Sequence, residues 1–116
     1  MLKVYISLDE TLTIHCKGHA GEDGTGNNIV CAASSIPIQT LAKMMDDMYR
    51  LGKLKEKPVI ELSSGNATVS AKPEKSSYTT IRCLYHFAEE SYGLLADNYP
   101  DRVKTVKVFP RVEANI

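Results

Sequence analysis

Leu2, Val4, Ile6 and Leu8 share one parity at the start of the chain, and Leu12, Ile14 and Cys16 repeat it after Asp9-Glu10-Thr11. A period of two puts these side chains on one face of an extended backbone, so two half-buried strands joined by a tight turn are predicted. From about Ile29 the period lengthens: Val30, Ala33, Ser34, Leu41, Met44, Met45, Met48 and Leu51 recur at three- and four-residue steps. That spacing marks a helix burying one stripe. The switch of period constrains the fold strongly, because a one-faced hairpin followed by a one-faced helix must lay helix on sheet. Gly52 and Lys53 supply stop signals. Pro37 lies inside the helical stretch, where it removes a donor and crowds the preceding turn, so a kink or restart is expected there.

The rest of the chain completes the pattern. Val59-Ile60-Glu61-Leu62 and Ala67-Thr68-Val69-Ser70-Ala71 flank Ser63-Ser64-Gly65-Asn66, a second hairpin with a polar, exposed turn. Pro73 and Ser76-Ser77 precede a helical run that places Ile81, Leu84, Tyr85, Ala88, Tyr92, Leu95 and Tyr99 on one face, and Pro100 ends it. Val103, Val106, Val108 and Phe109 read as a closing strand with Lys104 and Lys107 facing out. The order is ββαββαβ, an α+β two-layer sandwich with two long helices packed on one face of a mainly antiparallel sheet. A chain of 116 residues without linker, repeat or low-complexity tract is expected to form one domain spanning residues 1–116.

Composition narrows the function classes. Lys plus Arg and Asp plus Glu are 14 each, so no global field steers the protein to nucleic acid or an anionic membrane. Lys3, Asp9 and Glu10 interrupt the apolar residues at the start, which leaves neither a signal-peptide core nor a membrane span. A cytoplasmic protein is expected. Cys16, Cys31 and Cys83 are odd in number and show no CxxC spacing, against both a disulfide framework and a zinc ribbon. Tryptophan is absent and aromatic residues are sparse, so no base-stacking platform is in view.

The chemistry gathers around one loop. His19 falls at the end of the second strand and Cys31 at the start of the first long helix, so the segment between them is a strand-to-helix connection. Across it the two side chains can meet. A thiol in the first turn of a helix faces the positive end of the macrodipole and unpaired amides, which favour thiolate, and an imidazole beside it can hold the proton. The same amides can receive an oxyanion formed on an attacked carbonyl. A Cys–His peptidase is therefore physically available, with Gly21, Gly24 and Gly26 letting the loop approach or gate a substrate. On spacing alone a second account stands beside it: Cys31 as a small apolar side chain, His19 as a turn residue and Asn28 as the helix cap.

Gly18-His19-Ala20, a short glycine-containing loop, and then Ile29-Val30-Cys31-Ala32-Ala33-Ser34 resemble the signature of the ribosomal-processing cysteine protease family, Prp. The resemblance extends to chain length and to the ββαββαβ order. It implies that Cys31 is the nucleophile and His19 the general base. It also implies a homodimer that needs no cofactor and removes a short N-terminal extension from a large-subunit ribosomal protein. The cut in that family follows a hydrophobic, often aromatic, segment, and the mature protein then functions near the peptidyl-transferase centre. Relatives commonly carry aspartate where this chain has Asn28. An amide oxygen still accepts an imidazole N–H and sets its tautomer, although it offers no charge to an imidazolium. Asp23 or Glu22 are alternative sources of a carboxylate.

His15, Cys16, His19 and Cys31 contain zinc-ligand atoms, but His15 and Cys16 are neighbours on a strand and point to opposite faces, so no metal is expected. His86 reads as a surface or interface residue and Cys83 as packing. A non-catalytic ribosome-assembly or RNA-contacting module is the alternative function, motivated by Lys53, Lys55 and Lys57 and by Arg102, Lys104 and Lys107. Charge runs of that kind are usually solvated surface, and no direct nucleic-acid binding or membrane partner is expected. Tyr85, Tyr92 and Tyr99 with Met44, Met45 and Met48 read as core, with part of a helix face left for a second copy.

Overall fold

The computed structural model of the chain describes residues 1–21 and 29–108. Its elements are β1 (Leu2–Leu8), β2 (Leu12–Lys17), α1 (Ile29–Arg50), β3 (Val59–Ser63), β4 (Asn66–Ala71), α2 (Tyr78–Asn98) and β5 (Val103–Lys107), with a 3-10 turn at Lys75–Ser77 ahead of α2. The strands form one five-stranded sheet in the order β3-β4-β2-β1-β5. All neighbours are antiparallel except β1 and β5, which run parallel with Leu2 opposite Val103. This is the predicted α+β architecture, two helices on a mainly antiparallel sheet.

Period two sets the buried face of β1, β2 and β4. Val4 pairs with Cys16, Ile6 with Ile14, and Ile14 in turn with Val69, so cross-strand partners share a face. Those residues are buried together with Leu2, Leu12, Ala71 and Val103. Over them lie Val30, Ile38, Leu41 and Met45 of α1 and Ile81, Tyr85, Ala88 and Tyr92 of α2. Each large apolar side chain buried here contributes roughly 1.5–3 kcal/mol. The other face of the sheet is polar: the Tyr5 and His15 rings stack with centroids 5.9 Å apart, His15 Nδ1 is 2.7 Å from Thr68 Oγ1, and Thr13 Oγ1 is 2.9 Å from Ser70 Oγ.

Several expectations need correction. The buried stripe of α1 runs Val30, Ser34, Ile38, Leu41, Ala42 and Met45. Ala33 lies a helical step off that stripe and is exposed, and Leu51 falls past the end of α1 and is 65% exposed. Tyr99 follows the last residue of α2 and is 39% exposed, so it is not part of the core stripe. The closing strand ends at Lys107; Val108 is exposed, though its N–H still donates to the Ile6 carbonyl at 2.8 Å. Phe109 lies outside the described residues.

α1 does not restart at Pro37. The hydroxyl of Tyr92, reaching up from α2, accepts the Ile38 N–H at 3.2 Å and donates to the Ser34 carbonyl at 2.7 Å. Those are the two groups that a helical i→i−4 rung would join, so a buried side chain supports the helix one residue past its missing donor. Glu89 is the buried acid of α2. Its Oε1 is 2.8 Å from His86 Nδ1, and an ion pair with Lys107 Nζ at 3.3 Å neutralises Oε2, which ties α2 to β5.

Candidate active site

The site begins where β2 stops. Gly18 follows Lys17 with φ 96, in the left-handed region that residues with a Cβ rarely adopt. An added Cβ would also run into the Met1 carbonyl oxygen. Both requirements select glycine. The Gly18 N–H donates to the Gly65 carbonyl at 2.9 Å and so fastens the end of β2 to the tip of the β3–β4 hairpin. Gly18→Ala is expected to lower stability by about 2–4 kcal/mol, because it combines an unfavourable φ with a backbone collision. A leftward shift of the urea midpoint at unchanged slope measures it.

Gly65 is the second residue of a two-residue loop, Ser64-Gly65, with φ 75. A Cβ there would lie 3.0 Å from His19 Nε2, so the imidazole rests directly against the backbone of the turn. The loop is shorter than the four residues predicted, because Ser63 and Asn66 are already paired as strand residues. Ser63 Oγ donates to the Asn66 carbonyl at 2.8 Å across that last pair.

Cys31 is the third residue of α1, half-buried, and packs against the edge of the core. The first turn of α1 itself carries no acidic residue. One turn on, the Ser34 hydroxyl donates to the Cys31 carbonyl at 3.0 Å. The end of β2, the start of α1 and the hairpin tip enclose a cleft of about 370 Å³, and both His19 and Cys31 line it. Leu62, Ser63, Gly65 and Asn66 form the hairpin wall, and Ala32, Ser35 and Gln39 form the α1 wall. Among the described lining residues there is no Asp, Glu, Lys or Arg.

Cys16 lines the same cleft but is buried, 6% exposed. Burial pushes its thiol up from an ordinary 9.0 to about 11, partly offset by a hydrogen bond with Tyr92. A raised thiol value means the folded state keeps the proton that the unfolded chain loses. The contribution of Cys16 to stability is thus complete below pH 9 and declines between about pH 9 and 11. At pH 8.5 an alkylating reagent is expected to modify exposed Cys83 in the native protein and to reach Cys16 only after denaturant is added. Peptide mapping of the labelled chain checks this.

The predicted site residues fall as follows. His19 and Cys31 come together in one cleft, while His15 and Cys16 face opposite sides of the sheet as strand alternation requires. Gly21 is buried and lines a different cavity, with Met1, Tyr99 and Arg102. Gly24, Gly26 and Asn28, with Glu22 and Asp23, lie outside the described residues. Cys83, expected in the packing, is exposed, because Ile81 and Tyr85 occupy the buried face of α2 on either side of it. By sequence alone the hairpin wall is only a polar turn. Its signal was present in Gly65, a glycine at a loop position that demands positive φ, but nothing local says that the turn folds over His19.

No described helix is long and apolar enough to cross a membrane. The family model for cysteine protease Prp matches residues 1–104. Among curated proteins, none gives a significant sequence match. Among solved structures, the essential ribosomal processing protease Prp from S. aureus, in complex with a covalently linked product peptide, superposes with a TM-score of 0.71 at 17% identity, covering 93% of this chain and 100% of that one. The same S. aureus protease with a substrate peptide gives a TM-score of 0.68 at 16% identity, covering 93% of this chain and 100% of that one. SMU.848 from Streptococcus mutans gives 0.67 at 19% identity, covering 95% and 96%. At these identities the structural likeness is one of fold, and the sequence match over residues 1–104 decides the family: the chain belongs to the Prp cysteine proteases.

Proposed function

We propose that this protein is a cytoplasmic cysteine endopeptidase that removes a short N-terminal extension from a large-subunit ribosomal protein, with Cys31 as nucleophile and His19 as general base. The observation that carries the reading is the convergence on one cleft of His19, just past the end of β2, and Cys31, in the first turn of α1. Two S. aureus structures of like fold are of a ribosomal processing protease with product and substrate peptides, which supports a peptide as the occupant.

In this mechanism His19 takes the proton of Cys31 as the sulfur attacks the scissile carbonyl. The first-turn amides of α1 receive the developing oxyanion. His19 returns the proton to the departing amine, and a water activated by the same imidazole then releases the acyl group. Asn28, or a carboxylate from Asp23 or Glu22, orients the imidazole; Gly24 and Gly26 serve approach of the peptide backbone, a role that buried Gly21, in a different cavity, does not share.

The active form is a homodimer. Exposed Ile36 and Phe87 flank an apolar groove between α1 and α2, also lined by Met44 and Leu84, that a second copy would cover. The test incubates the purified protein with the host's ribosomal protein precursor and reads the new N-terminus by mass spectrometry. One internal cut after an apolar segment is the expected result. An intact precursor that nonetheless binds would favour a non-catalytic ribosome-assembly module instead.

A further inference from the structure

We infer that the free edge of β3 is the docking strand for the substrate: an extended apolar peptide segment joins the sheet beside β3 as a sixth strand and enters the Cys31 cleft at the β3 C-terminal end. The choice of occupant rests on the peptidase reading above.

β3 is the outermost strand on its side of the sheet, and every one of its residues is exposed. Val59, Ile60 and Leu62 are 52%, 36% and 49% exposed. Natural proteins normally protect or charge an apolar edge strand, because its unpaired backbone groups recruit other chains. Here the edge carries one charge, Glu61, and among the described residues nothing pairs with it.

The phase of the backbone follows from one hydrogen bond. The Gly18 N–H donates to the Gly65 carbonyl, so the polar groups of Gly65 face β2. Alternation along an antiparallel strand then turns Asn66, Thr68 and Ser70 toward β3. Their register partners Ser63, Glu61 and Val59 face back toward β4. The N–H and C=O groups of Ile60 and Leu62 are left aimed off the sheet.

The side chains of the same two residues point to the useful face. Ile60 is paired with Val69 and Leu62 with Ala67, so both lie on the side covered elsewhere by the helices. Over β3 no helix buries them. Outward-facing amides and apolar side chains at two-residue spacing are what an added strand requires. The edge is also continuous with the cleft, since Leu62 and Ser63 line it beside Cys31 and His19. No charged side chain among the described lining residues would oppose a neutral, apolar segment.

The experiment measures binding of the fluorescently labelled N-terminal peptide of the host's ribosomal protein precursor to the Cys31→Ala protein, by anisotropy, with a series of peptides N-methylated at successive residues. Strand addition predicts a period-two pattern: methylation at alternate residues raises Kd about tenfold per lost hydrogen bond, and the intervening positions change it little. Ile60→Pro removes an N–H that β4 does not use. It is expected to raise Kd by a similar factor, and in the protein with Cys31 intact to raise KM with little change in kcat. A uniform response to methylation, or no binding of the unmodified peptide, overturns the docking edge. A period-two pattern with no cleavage by the intact protein keeps the docking edge and removes the peptidase reading.

Discussion

Replacing Cys31 by alanine is expected to reduce precursor cleavage by about 10⁴–10⁶-fold, the scale on which hydrolases lose turnover when the nucleophile is deleted. The structural cost of the same change is small. Cys31 is half-buried at the margin of the core, and alanine is the best helix former at a position already inside α1. A loss of about 1 kcal/mol or less in unfolding free energy is expected, because one sulfur is removed from a site that solvent partly reaches. The two readouts therefore separate. Cys83→Ala, at an exposed position on α2, leaves both unchanged. Cleavage by Cys31→Ala at the wild-type rate would end the assignment of the nucleophile.

His19→Ala is expected to lower kcat by about 10²–10⁴-fold, the usual contribution of a positioned general base. The informative control is His15→Ala. His15 is four residues away in sequence but stands on the opposite face of the sheet, against Tyr5 and Thr68. It should affect stability slightly and turnover not at all. Because the imidazole of His19 rests on the Gly65 turn, its removal leaves a space that opens into the cleft. Added imidazole should restore part of the lost rate in His19→Ala, and a merely structural histidine would show no such rescue. Equal small losses in the two variants would make His19 a bystander.

Much of the fold was legible because period and burial agree. The buried residues of β1 and β2 all have even numbers, and the order of elements follows from where period two gives way to the helical period. The misplacements occur where an element stops. Leu51 and Tyr99 continue their helical stripes in sequence, yet each lies beyond the last helical residue and turns outward. Pro37 was legible as a defect but its remedy was not, since the Tyr92 hydroxyl comes from 54 residues further along the chain. The same limit applies to the site. His19 and Cys31 announce themselves through spacing and residue type, whereas the hairpin wall depends on the Gly18–Gly65 hydrogen bond, a contact that no local pattern encodes.

That hydrogen bond also divides the cleft by mechanical character. His19 lies two residues past the end of β2, a strand with partners on both sides, and Cys31 belongs to a 22-residue helix seated on the core. The opposing wall is the tip of a hairpin whose outer strand is solvent-exposed along its whole length. Fully exposed, singly paired segments are the first to open in native proteins, and their amides exchange hydrogen earliest. The amides of β3 should accordingly exchange well before those of β2 and α1. The cleft can then widen by local loosening on one side only, while the elements that carry thiol and imidazole keep their spacing.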